Sequence, residues 1–408
     1  MPENKLRDQL TIKPVELKYL DQYNELMRYV FQVTRQDISE SGYEDGELIK
    51  TKRPILQHAD IYGWFNADDE LVSQISIYPC EVNIHDKIFK MGGVTGVGTY
   101  PEYANLGLMS ELIKLALKKM CENGQFISYL YPYSIPYYRR KGWEIMSDHI
   151  AYTVKDTQLP ATSTVAGHVE RLDLDDEDVI ALYDRFARSN HGALIRNKFE
   201  WDEYWRWEIE EDMTAAVYYD KDDNPQGLMF YRISHDIFHI KEMIYLNQEG
   251  RHGLWNFISA HLSMIDKVKG DIYTNEPLAF LLDDGQIAET IEPYYMARIV
   301  DVAAFLQEYP FSGNFEPFHF KVTDPIAEWN NGTFSLTLTG NKNREVQISN
   351  KTLGKCVELD IQTLSTMMMS YRRPSYLHKI ERLKTDTQTL RILEDIIPNQ
   401  QPYFSDYF

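Results

Sequence analysis

The chain has 408 residues, of which 43% are hydrophobic and 13% aromatic, so it contains ample material for more than one core. Chains of this length usually divide into two or three domains. Acidic residues outnumber basic ones by 62 to 42, and the formal charge of −20 argues against a nucleic-acid partner, which requires a basic face. An acidic surface suits a cationic ligand, although such surfaces more often serve solubility.

The three cysteines, Cys80, Cys121 and Cys356, are scattered, which predicts neither a disulfide framework nor a zinc site. The histidines stand singly, without metal-ligand spacing. Residues 1–10 carry no apolar signal region, and no apolar run approaches the length of a membrane span. We therefore expect no bound metal, no membrane partner and a cytoplasmic location.

Residues 1–156 have the pattern of one α/β unit. Helical spacing of apolar residues over 14–37 predicts an amphipathic helix, with room for a second. Residues 61–100 predict three strands, with tight turns at Asp68-Asp69 and His85-Asp86. The elements expected next are a helix from Asn105 to Asn123 ended by Gly124, a strand over 126–133, a short helix around 135–140 and a strand ending near Lys155.

Two segments of this unit carry chemistry. The first, VTGVGTYPEYANLGLMSELIKLALKKM (residues 94–120), is an apolar strand that passes through a turn into a helix. Free main-chain N–H groups and the helix dipole meet at such a turn, so it is a candidate anion site, and Gly107 allows close approach of the backbone. A turn of this kind on its own is more often structural than phosphate-binding. The second segment, YRRKGWE (residues 138–144), follows about one helix later.

The pattern repeats after a polar linker at 157–167. Residues 176–210 are predicted to be helical, and the strands that follow lead into a helix opened by Gly250-Arg251-His252-Gly253. This second unit lacks both chemical segments, so we interpret it as a degenerate repeat. Arg251 and Gly253 are a weaker candidate for phosphate binding than for a structural role.

The third unit begins near Asp301, with strand alternation over 315–349 followed by helices. Its Met367-Met368-Met369 run is expected to pack into a core, because methionine fills irregular apolar gaps. A lipid pocket is the alternative interpretation of this unit.

The two chemical segments together resemble the acetyl-coenzyme A core of the GNAT acyltransferases. Residues 138–144 are close to the family's F-Y-R-K-x-G-F-E. The turn at 101–109 keeps the P-E-Y and one glycine, Gly107, of P-E-Y-R-G-x-G-x-G, but Ala104 and Asn105 replace the usual arginines. Main-chain N–H groups would then bind the pyrophosphate without charged side chains, which predicts weak coenzyme binding or a degenerate site.

The combination V-T-D-P…W-N-N-G-T-F-S-L at 322–336 resembles a sterol-carrier-protein-like domain. The order of the three units is similar to that of the Eis (enhanced intracellular survival) acetyltransferases. The resemblance implies an α/β (α+β) protein with a catalytic GNAT domain at 1–156, a degenerate GNAT-like domain at 157–300 and a sterol-carrier-like domain at 301–408. It also implies a homohexamer that transfers acetyl from acetyl-CoA to amines of an aminoglycoside-like or polyamine-like molecule, or to lysine side chains.

By motif position, the resemblance implies Tyr138 as general acid and the terminal carboxylate of Phe408 as base. The implied coenzyme contacts are Val97, Gly98, Thr99, Ala104, Asn105, Leu106, Gly107, Leu108, Met109 and Ser110. Tyrosine, with a reference pKa of about 10, suits a thiol leaving group of about 8.5. A terminal carboxylate, at about 3.5, is a weak base, so orienting a cationic amine suits it better than proton abstraction.

The tail is aromatic, since Tyr403, Phe404, Tyr407 and Phe408 lie among its last six residues, and this favours a docked tail over a disordered one. Asp406 is a lesser candidate for binding the amine, as are Asp21 and Glu25. The alternative function is a GNAT-derived ligand-binding protein without catalysis. Ala104 and Asn105 favour that alternative, whereas the Tyr138 segment and the aromatic tail favour an enzyme.

Overall fold

The computed structural model describes residues 6–33, 53–202, 213–339 and 345–408. Its strands, numbered in chain order, are β1 (Thr11–Pro14), β2 (Asp60–Phe65), β3 (Leu71–Ile84), β4 (Lys87–Thr99), β5 (Ile127–Leu130), β6 (Glu144–Ile145), β7 (Asp148–Lys155), β8 (His168–Leu172), β9 (Thr214–Tyr219), β10 (Pro225–Ser234), β11 (Ile237–Tyr245), β12 (Lys267–Ile272), β13 (Ala288–Pro293), β14 (Met296–Ile299), β15 (Phe318–Thr323), β16 (Gly332–Thr339), β17 (Glu345–Ser349) and β18 (Lys355–Asp360). The helices are α1 (Leu20–Val30), α2 (Arg53–His58), α3 (Leu108–Glu122), α4 (Ile135–Arg139), α5 (Glu177–Ser189), α6 (Gln248–Ser259), α7 (Val302–Glu308), α8 (Ile361–Met368), α9 (Pro374–Lys379) and α10 (Thr387–Ile396).

The strands form three mixed sheets. The first has the order β1-β2-β3-β4-β5-β14-β6, the second β13-β7-β12-β11-β10-β9-β8 and the third β17-β16-β15-β18. In each of the first two sheets one parallel pair, β4 with β5 and β11 with β12, is set among antiparallel strands. The predicted class of two mixed-sheet modules followed by an α+β unit is confirmed.

The first two sheets exchange a strand, which was not expected from the sequence. β7 follows the first module in the chain but pairs with β12 and β13 in the second sheet, while β14 pairs with β5 and β6 in the first. The chain crosses between the sheets at 146–147 and at 294–295. The two crossings bond to each other, since Met146 N–H donates to the carbonyl of Tyr295 (2.9 Å) and Tyr294 N–H to that of Ser147 (2.9 Å). β7 therefore lies in the predicted first domain (1–156) but in the second sheet, and β14 lies in the predicted second domain (157–300) but in the first sheet.

The structure confirms the tight turns that were predicted from the local sequence. His85 and Asp86 have φ of 48° and 66°, and Asp69 has φ of 63°, so both predicted tight turns are confirmed. Helix α3 begins at Leu108, later than the expected Asn105, because Asn105 (φ 63°) and Gly107 (φ 76°) are left-handed and cannot join a helix.

Two helix predictions were too long. Of residues 14–37, the helix covers Leu20–Val30, and residues 34–37 lie outside the described residues. The helix predicted over residues 176–210 is interrupted: α5 covers Glu177–Ser189, residues 190–197 are not helical, residues 198–202 are helical again, and residues 203–210 lie outside the described residues.

Each face of the first sheet has its own core. Helix α3 covers one face, together with a cluster that includes Leu112, Leu117 and Met120. The other face shares a larger cluster with the third unit, in which Met367, Met368 and Met369 are fully buried, and this confirms their predicted core role. Within the described ranges, no helix is long and apolar enough to cross a membrane.

Candidate active site

The first sheet opens between its two central parallel strands. β4 and β5 pair only from residue 91 to Gly93, whose partner is Tyr129. β4 then continues to Thr99, whereas β5 ends at Leu130, so the strands separate beyond Gly93. We call this gap the strand opening. It is the part of the module that can admit an extended ligand beside a strand edge.

A β-bulge bends β4 at the strand opening. Gly96 adopts φ of 59°, and the register with β3 shifts between Gln74 and Ser76. A side chain at residue 96 would meet the Ser76 hydroxyl at 2.9 Å and the Tyr23 hydroxyl at 3.0 Å. Glycine is therefore required here, both for the left-handed conformation and for space, and the bulge turns the end of β4 away from β5.

The predicted coenzyme residues of β4 lie along this opening. Gly98 and Thr99 pair with Gln74 and Ser73 of β3, and the Ser73 hydroxyl bonds the Gly98 carbonyl (3.1 Å) and the Thr99 hydroxyl (2.7 Å). Those bonds fix one edge of β4. Its other edge, from Val97 onward, has no strand partner within the described residues, so its polar groups are available to a ligand with amide groups.

The turn before α3 presents main-chain donors. Ala104, Asn105 and Gly107 are exposed, whereas Leu106 and Leu108 are buried and anchor the turn. Ala104 N–H donates to Pro101, and the first intrahelical donor is Ser110. Among the described residues, the N–H groups of 105–109, which include Met109, have no acceptor. Gly107 is the N-cap and supplies no capping side chain, so these donors remain available.

Two cations stand beside this turn, although the turn itself has none. Lys141 Nζ donates to the Ser110 hydroxyl (2.6 Å) in the first helical turn. The Arg7 guanidinium pairs with Glu111 and lies 3.7 Å from the position a Cβ on Gly107 would take. Burial and then Arg140 lower the pKa of Lys141, and a bound anion would relieve that effect. Neither cation was identified from the sequence, because neither lies in the turn motif.

The YRRKGWE segment owes its shape to a buried arginine. Gly142 has φ of 96°, and the Arg298 guanidinium lies where its side chain would be. Arg298 donates to the Lys141 carbonyl and pairs with Asp324 (2.5 Å) in the third unit. The Asp324 of the sterol-carrier-like motif therefore fixes the turn that carries Lys141 and Trp143, a role the sequence did not reveal.

Tyr138 is 7% exposed and lies on the α3 face of the first sheet. Its ring contacts Trp143 (centroids 6.2 Å apart) and Tyr137 (5.2 Å). Burial first and then Tyr137 raise the pKa of Tyr138 well above its ordinary value. The hydroxyl therefore keeps its proton at neutral pH, as a general acid must before it acts.

Phe408 lies on the opposite face of the same sheet. It is beside the Gly93–Tyr129 pair, after which the strand opening begins. A Cβ on Gly93 would meet the Phe408 ring at 2.8 Å, so the absence of a side chain makes the space that the ring fills. Phe408 N–H donates to the Tyr295 hydroxyl (2.9 Å), and its ring lies 6.0 Å from that of Tyr78. Tyr138 and Phe408 thus lie on opposite faces of the sheet that contains the strand opening.

The C-terminal tail, residues 402–408, is anchored in the second module. Tyr403 N–H donates to His191 (2.7 Å) and Phe404 N–H to Tyr273 (3.3 Å). The hydroxyls of Tyr403 and Ser405 donate to buried Glu242 of β11. The predicted docked tail is confirmed.

Asp406 of this tail does not bind the amine as suggested from sequence. Its carboxylate is buried, pairs with Arg196 Nε (2.7 Å) and accepts from the Tyr183 hydroxyl (3.2 Å). Burial raises its pKa and Arg196 opposes that shift, so the group serves the anchor. The lesser candidates Asp21 and Glu25 lie on α1 and remain untested predictions.

The corresponding turn of the second module is closed. Asn247 caps α6 by accepting from Gly250 N–H (2.9 Å), and Glu249 places an acid in the first turn. A Cβ on Gly253 would meet the Tyr218 ring at 2.0 Å, so this glycine serves close packing. Within the described chain, no cluster of histidine, cysteine or acidic residues could hold a metal ion.

Comparison with known families agrees with this geometry. Residues 11–146 match the model of one GNAT acetyltransferase domain, residues 192–299 match a second, and residues 302–405 match a sterol carrier protein domain. The chain is a GNAT acyltransferase. The three matches follow one another as GNAT, GNAT and sterol carrier protein domains, which confirms the order of units inferred from the sequence.

Solved structures share the architecture of this chain over nearly its whole length. A conserved protein of unknown function from Enterococcus faecalis, described as a probable N-acyltransferase, is 27% identical with a TM-score of 0.87, covering 98% of this chain and 100% of its own. A GCN5-related N-acetyltransferase from Anabaena variabilis (22%, TM-score 0.83) and an Eis protein from Mycobacterium abscessus (17%, TM-score 0.78) share the fold, each match covering 98% of this chain and 100% of theirs. No curated protein sequence matches the chain.

Proposed function

We propose that this Eis-like chain transfers an acetyl group from acetyl-CoA to an amine of a cationic small molecule. The observation that carries the proposal is the strand opening, with Tyr138 on one face of its sheet and Phe408 on the other. The available edge of β4 fits the amide-bearing arm of the coenzyme. The turn donors at 105–109, with Lys141 beside them, fit its pyrophosphate.

The reaction forms an N–C bond and breaks a C–S bond, so the amine must lose one proton and the departing thiolate must gain one. Acetyl-CoA supplies the thioester. In this proposal Tyr138 donates its hydroxyl proton to the leaving thiolate, although burial raises the pKa of the tyrosine and makes it a weaker acid than its reference value of about 10 would. The carboxylate that Phe408 bears orients the cationic amine on the other face, because its reference pKa of about 3.5 makes it a weak proton acceptor, and the proton that the amine loses passes to solvent water.

The acceptor class follows from charge. The chain carries a formal charge of −20, which raises the local concentration of cations. Polyamine-like and aminoglycoside-like molecules and lysine side chains all fit this description. A homohexamer in the cytoplasm, without nucleic-acid or membrane partners, remains a prediction.

The alternative is a ligand-binding protein of GNAT descent that no longer catalyses. Ala104 and Asn105, in place of the family's arginines, favour it. Lys141 and Arg7 weigh against it, because they bring positive charge to the same turn.

The proposal is tested by titrating acetyl-CoA into the protein by calorimetry and measuring thiol release with a panel of amines. We expect micromolar binding and release with at least one cationic amine. Tyr138→Phe should lower kcat by about 10²- to 10⁴-fold with unchanged coenzyme affinity. Coenzyme binding without thiol release across the panel would favour the non-catalytic alternative.

The terminal carboxylate is tested by adding one residue after Phe408. An enzyme that uses this group loses turnover while its fold and coenzyme affinity persist. Full activity of the extended chain would remove the carboxylate from the mechanism.

A further inference from the structure

Three tyrosine side chains stand together beside the strand opening, and none of them has been given a role above. The ring of Tyr131 lies 5.1 Å from that of Tyr407 and 5.7 Å from that of Tyr294. Tyr131 is 43% exposed and Tyr407 is 63% exposed, while Tyr294 is partly buried. We call these three residues the tyrosine cluster.

The cluster lies on the Phe408 face of the first sheet. Tyr131 follows Tyr129 by two residues, and Tyr129 is the partner of Gly93, against which the Phe408 ring packs. Tyr295 joins the two groups, because its ring lies 5.9 Å from that of Tyr131 and 5.4 Å from that of Phe408. The face that would receive the acceptor is therefore lined by exposed aromatic rings.

The cluster is held in place by the tail. The Tyr294 hydroxyl donates to the Asp406 carbonyl (3.0 Å), which leaves its ring facing Tyr131. Burial and then Tyr131 raise the pKa of Tyr407, so its hydroxyl is neutral at physiological pH. Large rings left exposed beside a reaction centre are suited to ligand contact.

A cation bound at this face must be recognised by a group other than the Asp406 carboxylate. That carboxylate is buried against Arg196, so it cannot meet an ammonium group. The faces of aromatic rings attract cations through their quadrupole, and the alkyl carbons beside an ammonium pack well on the same rings. The attacking amine must be neutral, so the cation that the rings bind is a second one in the same molecule.

We propose that Tyr131, Tyr294 and Tyr407 form an acceptor subsite that binds the second ammonium group of a linear alkyl polyamine while its first amine is acetylated. The inference rests on the proposed acetyl transfer and adds a substrate class to it. The aliphatic carbons between the two amines lie along the rings, where an aminoglycoside would place hydroxyl groups.

The test compares spermidine with butylamine, which has one amine and no second cation. The wild-type protein should show a lower KM for spermidine, and Tyr131→Leu should raise that KM about tenfold. Tyr131→Phe keeps the ring and should stay within about twofold of wild type. The butylamine KM should change much less than the spermidine KM in Tyr131→Leu, because butylamine has no second cation to lose its contact with the ring, and the coenzyme affinity should not change in either variant.

Tyr133→Leu is the matched control. Tyr133 lies two residues further on and is 83% exposed, outside the ring contacts of the cluster. Its replacement should leave the spermidine KM unchanged. Tetramethylammonium, which cannot be acetylated, should compete with spermidine in the wild type and lose that effect in Tyr131→Leu.

The outcomes separate this inference from the proposed function. Equal spermidine KM in the wild type and Tyr131→Leu, with transfer intact, overturns the subsite alone, as does a preference for aminoglycosides that Tyr131→Leu does not alter. Absence of transfer in the wild type overturns the proposed function. Calorimetric titration of spermidine into both proteins then decides the subsite, which requires weaker binding to Tyr131→Leu.

Discussion

The two GNAT modules share a strand pattern but differ where a coenzyme would bind. In both, a parallel pair separates part-way along, beyond Gly93 in the first module and beyond Ile240 in the second. Among the described residues, no strand pairs with β4 along the first opening, which ends at a turn with available donors. The second is crossed by the C-terminal tail, which bonds Glu242 on β11 and Tyr273 just after β12.

The difference shows that the second module holds the C-terminal tail at the place where the first module would bind a ligand. The tail occupies the second opening and carries Phe408 into contact with Gly93 of the first. Asn247 caps the second helix internally, whereas Gly107 leaves the first helix without a capping side chain. The second module thereby becomes the anchor for a residue that reaches the first module's site.

The largest expected effect comes from breaking that anchor. Arg196 is buried and pairs with Asp406 and Glu242, so Arg196→Met removes a cation from two buried carboxylates. We expect a loss of about 3–5 kcal/mol in the free energy of unfolding, measured by urea denaturation. Arg188→Met removes an exposed pair with Asp184 and should cost less than about 1 kcal/mol. Equal losses of unfolding free energy in the two variants would contradict the conclusion that Arg196 anchors the tail.

The second prediction concerns how the free energy of unfolding depends on pH through a buried carboxyl group at the contact between the two modules. Glu200 of the second module is buried beside Cys80 of β3, and burial raises its pKa to about 7. Its pKa is about 4.3 when unfolded, so folding takes up a proton between these values and stability falls as pH rises from about 4.3 to 7. Protonation of Glu200 contributes up to about 3 kcal/mol to the free energy of unfolding at low pH. This pH dependence should disappear in Glu200→Gln. Unfolding free energies of the two proteins at pH 5 and pH 8 provide the measurement, and parallel pH profiles would refute it.

Paired glycine substitutions compare the two helix starts directly. Gly107→Ala places a Cβ on a residue in the left-handed conformation, which should lower the free energy of unfolding by about 1–2 kcal/mol. The new Cβ also crowds the main-chain donors of the turn, so acetyl-CoA affinity should fall more than tenfold. Gly250→Ala brings a Cβ within 2.4 Å of the Gln226 carbonyl, which destabilises the second module. Coenzyme affinity, measured by calorimetry, should not change in Gly250→Ala. A similar loss in both would mean that the second turn also binds coenzyme.

The smallest predicted effect tests whether a cation outside the turn replaces the missing arginines. Lys141→Gln should weaken acetyl-CoA binding about tenfold and make it less sensitive to salt, because one charge-assisted contact is lost. Lys114→Gln on α3 removes only an exposed pair with Glu328 and serves as the control. Unchanged affinity in Lys141→Gln would leave the main-chain donors as the sole source of binding.

Local signals in the sequence predicted the parts of the fold that depend on neighbouring residues. The turns at Asp68-Asp69 and His85-Asp86 and the order of elements in the first module are of this kind, since a few adjacent residues determine them. The segment around Tyr138 was recognisable because its residues are contiguous.

The remainder depends on contacts between residues far apart in the chain. Nothing near Gly93 indicates that Phe408 fills its space, and nothing near Lys141 indicates its bond to Ser110. The pairing of Arg196 with Asp406 and the exchange of β7 and β14 are equally non-local. Periodicity reveals which face of a strand is buried, but not which strand lies beside it.

The exchanged strands have a consequence for synthesis on the ribosome. β5 ends at Leu130, but its antiparallel neighbour β14 begins at Met296, so the first sheet stays incomplete until the second module has emerged. At roughly 5–20 residues per second, this leaves β5 with an unpaired edge for roughly 10–30 seconds. Exposed strand edges are templates for aggregation, so the nascent chain passes through a vulnerable interval that a simple succession of domains would avoid.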